Sequence, residues 1–216
     1  MTSMTRRMML ASATAMTAAP LWAQSTTEDS STEGAAEGIS MRFSGDIVLG
    51  NPDAEVTVVE YASFTCPHCR RFHEGPYKQL EAEYIDTGKI KFVYREVFFD
   101  PQGLWAAMLA RCAGQDRYMM IADMIYAQQS EWPVRDDPGR TAANLKKMGL
   151  VAGMDGETVD ACFADRPFAK SLVATYQENA TADNINSTPS FVINGRTYGN
   201  MNYAELSGII DDALGS

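Results

Sequence analysis

The chain has 216 residues, 45% of them hydrophobic and 21% charged, with a net charge of -10. This length suits one large domain or one domain with an insertion, and the apolar content excludes a disordered or fibrous protein. Nucleic acid is excluded as a partner, because an acidic surface repels phosphate backbones.

The first 23 residues have the layout of a bacterial export signal, cleaved near Ala23. Arg6 and Arg7 form a basic start, and residues 8–19 form an apolar run without acidic residues. That run is shorter than the about 20 residues that span a bilayer, which favours cleavage over an uncleaved anchor. The arginine pair also resembles a twin-arginine signal, so the export route stays open. Cleavage removes two positive charges and takes the net charge from -10 to -12.

A flexible acidic leader is predicted over residues 24–44, which are rich in Ser, Thr, Glu, Gly and Ala. Such a segment buries too little apolar surface to offset the entropy of ordering. We therefore expect the folded domain to occupy residues 45–216.

A βαβ unit opens the predicted domain. A short strand over Asp46–Leu49 precedes a nearly continuous apolar strand beginning at Val56–Tyr61. A helical pattern then runs from Cys66 to about Tyr84, and Ile90–Val97 is the next strand. Parallel strands need such a helical crossover.

The remainder predicts a helical block followed by a hairpin. Apolar residues recur at helical spacing over about 101–184. The strands Ser190–Ile193 and Arg196–Tyr198 flank Asn194–Gly195, a strong hairpin signal, and Met201–Leu214 forms the last helix. This order predicts an α/β protein: a thioredoxin fold with an inserted α-helical domain.

Cys66-Pro67-His68-Cys69 is the motif that carries chemistry, because a C-x-x-C within a βαβ unit is typical of redox proteins. At a helix N-terminus, Cys66 would face free backbone N–H groups that stabilise its thiolate. Pro67 suits the first helical position, His68 can add a donor or a positive charge, and Cys69 lies one turn on, within reach of a disulfide.

The motif has two other possible interpretations. It could be half of a zinc site, but that requires two more ligands, and we predict no metal. It could also be an inert structural disulfide. The nearby His73 is interpreted as a surface or partly buried residue.

Two segments, Glu60–Cys69 and Ser187–Gly195, resemble the DsbA family of bacterial periplasmic thiol-disulfide oxidoreductases. The similarity extends from about Asp46 to the C-terminus. It implies a protein-disulfide oxidoreductase, a dithiol oxidase that introduces disulfide bonds into reduced, unfolded exported proteins in the periplasm. It also implies reoxidation by a membrane quinone reductase of DsbB type and no bound cofactor.

The resemblance also implies roles for three residues outside the motif. Pro189, preceded by Thr188, would be cis and lie against the redox-active Cys66–Cys69 pair, in a substrate-binding position. Glu60 would be a buried acid that exchanges protons with Cys69, with burial favouring its protonated form. A strand-end glutamate that reaches solvent is the alternative.

Cys112 and Cys162 lie on apolar faces of two predicted helices, and we predict a structural disulfide between them. Some alphaproteobacterial DsbA relatives look similar in this respect. Two free buried thiols, which behave as small hydrophobic groups, are the alternative.

The leader distinguishes this chain from oligomeric relatives. Residues 24–44 lack the apolar periodicity of an oligomerisation segment, so we predict a monomer that introduces disulfides. A Thr before the cis-proline also occurs in isomerases, so a disulfide isomerase or reductase of the same fold remains an alternative. A redox-inactive chaperone or metal-binding module is the non-enzymatic alternative.

Overall fold

The computed structural model of the protein describes residues 43–215. The predicted export signal (1–23) and nearly all of the predicted leader (24–44) therefore lie outside the described residues. Within residues 43–215, no helix combines the length and apolarity that crossing a membrane requires.

Five strands form one mixed sheet. They are β1 (Ile47–Gly50), β2 (Val56–Ala62), β3 (Ile90–Glu96), β4 (Ser190–Ile193) and β5 (Arg196–Tyr198). Their order is β1-β3-β2-β4-β5; β2 and β3 are parallel, and the other neighbouring pairs are antiparallel. The predicted strands are confirmed, with β1 displaced by one residue.

Helices cover the sheet and form the insertion. They are α1 (Pro67–Glu74), α2 (Pro76–Leu80), α3 (Pro101–Cys112), α4 (Tyr118–Ala127), α5 (Pro138–Val151), α6 (Gly156–Ala164), α7 (Arg166–Ala182) and α8 (Tyr203–Leu214), with a π-helical turn at Glu81–Ile85 and a 3-10 turn at Gln115–Arg117. Helices α3 to α7 lie between β3 and β4 in the chain. A thioredoxin fold with a helical insertion is thus confirmed.

The predicted helical segment from Cys66 to about Tyr84 is divided into two helices and the π-helical turn. Helix α1 ends at Glu74, and α2 begins at Pro76. Pro76 has no backbone N–H, and its ring clashes with the carbonyl one turn earlier in a continuous helix. Gly75, between the two helices, has non-helical backbone angles (φ -133°, ψ -83°).

Four helices of the insertion begin with an aspartate N-cap. The side chains of Asp100, Asp137, Asp155 and Asp165 each accept a hydrogen bond from the backbone N–H three residues on, at the starts of α3, α5, α6 and α7. Such a cap is worth about 1 kcal/mol and complements the helix dipole. At α3 the cap also fixes a carboxylate beside the cysteine motif.

The alternation of side chains along β2 places an acid in the main core. Val58 and Ala62 belong to the large apolar cluster, whereas Val59 and Tyr61 belong to a smaller cluster on the other face. Glu60 lies between Val59 and Tyr61 in sequence, so it points to the same side as Val58 and Ala62.

Arg111 of α3 secures the start of the described chain. It pairs with Glu96 at 2.6 and 2.7 Å and donates hydrogen bonds to the carbonyls of Phe43 and Gly45 at 3.0 and 2.9 Å. The Phe43 ring packs edge-on against Tyr118. Phe43, assigned to the leader from the sequence, therefore makes specific contacts with the insertion.

Candidate active site

The two cysteines of the motif occupy different environments. Cys66 is the residue immediately before α1, with extended backbone angles (φ -84°, ψ 120°), and Pro67 is the first helical residue. Cys66 is half-buried, whereas Cys69 is 0% exposed. Both are free thiols in this structure. Only the Cys66 sulfur is therefore open to an incoming thiol.

Hydrogen bonds to the sulfur lower the pKa of Cys66 to about 5. The largest contribution is the bond from the Cys69 thiol, followed by one from Thr188 and by the backbone N–H groups of Cys69 and His68. Burial raises the pKa of Cys66, but the hydrogen bonds lower it by more. In the thiol form, Cys66 instead donates to the Thr188 carbonyl at 3.4 Å. Two of these donors, the N–H groups of His68 and Cys69, belong to the first turn of α1.

The pKa of Cys69 moves the opposite way, far above its ordinary value. Burial is the largest cause, followed by the hydrogen bond to Cys66 and the negative charges of Cys66 and Glu60. The backbone N–H of Ser63 donates to the Cys69 sulfur at 3.5 Å and opposes this rise. In the reduced pair, the negative charge resides on Cys66 and the proton on Cys69.

His68 acts on Cys66 through its backbone N–H. Its ring is exposed, and its Nδ1 lies 2.8 Å from a guanidinium nitrogen of Arg71. The sequence predicts that His68 adds a donor or a positive charge, and the donor is its backbone N–H, whereas the ring lies against Arg71.

The Thr188–Pro189 peptide bond is cis, as the resemblance implies. Pro189 is buried, and the Thr188 carbonyl contacts the Cys66 sulfur. The Thr188 hydroxyl is buried without a partner while Cys66 is a thiol. Its hydrogen bond to the thiolate is one of the contributions that lower the pKa of Cys66.

Glu60 is 0% exposed, which rules out the alternative that it reaches solvent. Nε2 of His73 lies 3.1 Å from both carboxylate oxygens of Glu60. The interpretation of His73 as a surface or partly buried residue was wrong, because it is only 2% exposed. The sequence did contain the signal: His73 follows Cys69 by four residues, so the two share a helix face.

The insertion contributes two polar side chains that the sequence analysis did not identify. The Asp100 carboxylate accepts a hydrogen bond from the Thr65 hydroxyl at 2.6 Å. The Gln129 side-chain amide donates to the carbonyls of Phe64 and Cys66. The Asp100-Pro101 pair is a sequence signal for a helix start, but no local pattern indicates the contact of Gln129 with the motif.

A groove of about 930 Å³ lies beside the motif. Its lining includes Pro67 from α1, Trp105 from α3, Pro133 from the segment before α5 and Pro138, the first residue of α5. Proline rings lack N–H groups and present a stiff apolar wall. The groove can therefore accommodate apolar side chains of a polypeptide next to Cys66.

The other two cysteines, Cys112 of α3 and Cys162 of α6, are joined in a disulfide. It links residues 50 apart in sequence, with a Cα–Cα distance of 6.3 Å. The alternative of two free thiols is thus not what the structure contains. Among residues 43–215, no group of three or more His, Cys, Asp or Glu side chains is arranged to hold a metal ion.

The sheet topology and the cysteine pair at the start of the first core helix define a thioredoxin-type dithiol protein. A sequence profile described as Thioredoxin matches residues 43–212. The thiol:disulfide interchange protein DsbA of Salmonella typhimurium is 30% identical over 158 residues, which are 69% of this chain and 72% of that protein. The chain belongs to the DsbA family of thioredoxin-like proteins.

Other relatives are similar over most of this chain. A Rickettsia bellii protein with the provisional name protein-disulfide oxidoreductase is 36% identical over 170 residues, which are 78% of this chain. This chain spans 64% of that relative's length and 60% of a Rickettsia felis relative's, less than two thirds of each.

Solved structures agree with the fold. Wolbachia pipientis alpha-DsbA1 has a TM-score of 0.73 at 26% identity, covering 81% of this chain and 94% of that one. A protein-disulfide isomerase from Novosphingobium aromaticivorans also has a TM-score of 0.73, at 27% identity, covering 80% and 99%. Both share the fold of the described domain.

Proposed function

We propose that the protein is a thiol-disulfide oxidoreductase that introduces disulfide bonds into exported proteins by exchange with the Cys66–Cys69 pair. The observation that carries the proposal is the pKa of Cys66, lowered to about 5 beside a buried Cys69 whose pKa is raised. A thiolate this stable favours the reduced enzyme and makes its disulfide a strong oxidant.

The exchange takes two displacement steps. A client thiolate attacks the Cys66 sulfur of the oxidised enzyme; a client–Cys66 disulfide forms, and the bond to Cys69 breaks. A second client thiolate attacks the client sulfur of this mixed disulfide, which forms the client disulfide and releases Cys66 as a thiolate. The client loses two electrons, and the cysteine pair gains them.

Cys69 needs a proton in the first step, because burial opposes a lasting charge on its sulfur. We assign this step to Glu60 in its protonated form, which gives its proton to the Cys69 sulfur and is left as a carboxylate. Glu60 is fully buried, and the charge of that carboxylate acts on Cys69. His73 holds the carboxylate in place from α1. In the reverse direction, Glu60 would accept the proton.

The proposed partners follow from the same chemistry. Clients are reduced, unfolded exported proteins in the periplasm, and a membrane quinone reductase of DsbB type removes the two electrons. The cysteine pair carries those electrons itself, so the reaction requires no bound cofactor. We propose that the enzyme acts as a monomer, which light scattering of the purified chain tests.

Oxidative refolding tests the direction of the reaction. The oxidised protein should restore activity to reduced, denatured ribonuclease without added oxidant, consuming one enzyme disulfide for each client disulfide formed. The Cys66→Ser variant is the matched control and should be inactive.

An isomerase is the second candidate, because the Novosphingobium aromaticivorans structure is described as a protein-disulfide isomerase. The reduced protein would then reactivate scrambled ribonuclease faster than the oxidised protein refolds the reduced substrate. That order of rates contradicts the proposed oxidase. The redox state of the protein in cells provides a second check, since an oxidase is held mainly as the disulfide.

A further inference from the structure

Gln129 is a buried polar residue of the insertion that the exchange steps do not use. It lies just after α4 and is 8% exposed. Its side-chain nitrogen donates two hydrogen bonds, to the Phe64 carbonyl at 2.8 Å and to the Cys66 carbonyl at 2.9 Å. One amide from the insertion thus holds two peptide groups of the loop that ends in the nucleophile.

These peptide groups determine how the Cys66 sulfur faces α1. The Cys66 carbonyl also accepts the first helical bond, from the Arg70 N–H at 3.1 Å, and the Cys66 N–H donates to the Ser63 carbonyl at 3.0 Å. The conformation of Cys66 is therefore fixed by bonds from the loop, the helix and Gln129. That conformation decides whether the His68 and Cys69 N–H groups point at the sulfur.

A second side chain of the insertion holds the intervening residue. Thr65 donates its hydroxyl hydrogen to Asp100, which caps α3. The insertion therefore contacts three consecutive residues, 64–66, through buried or partly buried hydrogen bonds. Because hydrogen bonds hold residues 64–66 in place, Cys66 keeps its orientation when its sulfur changes charge or bonding. Little further entropy is lost in that change.

We propose that Gln129 is a positioning residue: its amide holds Cys66 in the geometry in which the N–H groups of α1 face the sulfur, so the insertion tunes the nucleophile. The inference deepens the proposed function, but its main test concerns the cysteine pair itself and needs no client protein.

The test compares the parent with Gln129→Leu and Gln129→Glu. Leucine removes both hydrogen bonds. Glutamate keeps the shape of the side chain but has a carboxyl group in place of the amide, so the donor nitrogen is lost. Gln102→Leu is the matched control, because Gln102 lines the same groove but donates to Val134 within the insertion, at 3.0 Å. Thiolate absorbance against pH and the equilibrium constant with glutathione are measured for each.

Both Gln129 variants should raise the pKa of Cys66 and shift the glutathione equilibrium toward the oxidised enzyme by about threefold to tenfold, the range for one lost hydrogen bond. Gln102→Leu should match the parent. A purely structural role would lower the stability of both redox forms equally, whereas positioning lowers that of the reduced form more.

Unchanged titration and equilibrium constants in a folded Gln129 variant would overturn the inference; if Gln129→Leu does not fold, Gln129→Glu carries the comparison. The two proposals fail separately. If the shifts occur but ribonuclease is not oxidised, the proposed function fails and the positioning role stands. If ribonuclease is oxidised and the shifts are absent, the positioning role fails and the proposed function stands.

Discussion

Nε2 of His73 lies 3.1 Å from both carboxylate oxygens of Glu60, in the core between the sheet and the insertion. The imidazole is stacked between the rings of Tyr77 and Tyr126, with centroid distances of 4.6 and 4.4 Å. Aromatic packing therefore fixes the imidazole, and the imidazole fixes the carboxylate whose charge acts on Cys69. Structural and chemical roles are combined in one buried pair.

Replacing only one member of the Glu60–His73 pair should lower the stability of the fold more than replacing both with apolar residues. Glu60→Leu or His73→Phe alone should lower the free energy of unfolding by about 2 to 5 kcal/mol, because one polar group stays buried without its partner. Glu60→Leu with His73→Phe should be less destabilised than either single variant, as a chemical-denaturation cycle would reveal.

The double variant also separates folding from chemistry. It lacks the acid that exchanges a proton with Cys69, so its exchange with a model dithiol should slow even where the fold is stable. Full parental rates in the folded double variant would exclude Glu60 from proton transfer.

The unequal exposure of the two sulfurs predicts unequal roles. Cys66→Ser should abolish exchange, whereas Cys69→Ser should accumulate mixed disulfides with clients, because no second enzyme thiol can displace them. Non-reducing electrophoresis and mass spectrometry detect these adducts. Alkylation at mildly acidic pH should label Cys66 first, and equal labelling of both cysteines would refute the assignment.

The lowered pKa of Cys66 predicts how pH affects the reduced protein. The folded value is about 5, against an ordinary value of 9.0, so the stabilising contribution is complete above pH 9 and is lost as pH falls toward 5. The raised pKa of Cys69 has little influence below pH 9. The oxidised protein, in which neither cysteine titrates, is the internal control.

Thermal unfolding measures this contribution directly. The melting temperature of the reduced form, relative to the oxidised form, should fall from pH 9 to pH 5, and iodoacetamide labelling should be half-maximal near pH 5. A pH-independent difference between the two forms would mean that the thiolate is not stabilised.

The strands and the cysteine motif could be predicted from the sequence because their signals are local. Valine-rich runs mark β2, Asn194–Gly195 marks the hairpin, and Pro67 after Cys66 marks a helix start. Pro76 is an equally local signal, and it marks the start of α2 after the break at Gly75.

The rest of the site depends on contacts between distant parts of the chain. Gln129 is 63 residues from Cys66 in sequence, and no periodicity relates the two. Likewise, the burial of His73 depends on Tyr126, which α4 brings against α1. Only the packing of the insertion on the core reveals these partners.

The structural disulfide yields the last prediction. Replacing both Cys112 and Cys162 with Ala should lower the free energy of unfolding by about 4 kcal/mol, because a bridge between residues 50 apart restricts the unfolded chain. The exchange rate should be nearly unchanged, because Cys66 contacts α1 and Thr188 rather than the bridge. Both cysteines are buried, so mild reductant should open Cys66–Cys69 and leave Cys112–Cys162 intact. Mass spectrometry after alkylation should count two thiols under mild reduction and four only after denaturation and reduction. Four thiols in denatured but unreduced protein would refute the bridge, and a double variant as stable as the parent would refute its contribution.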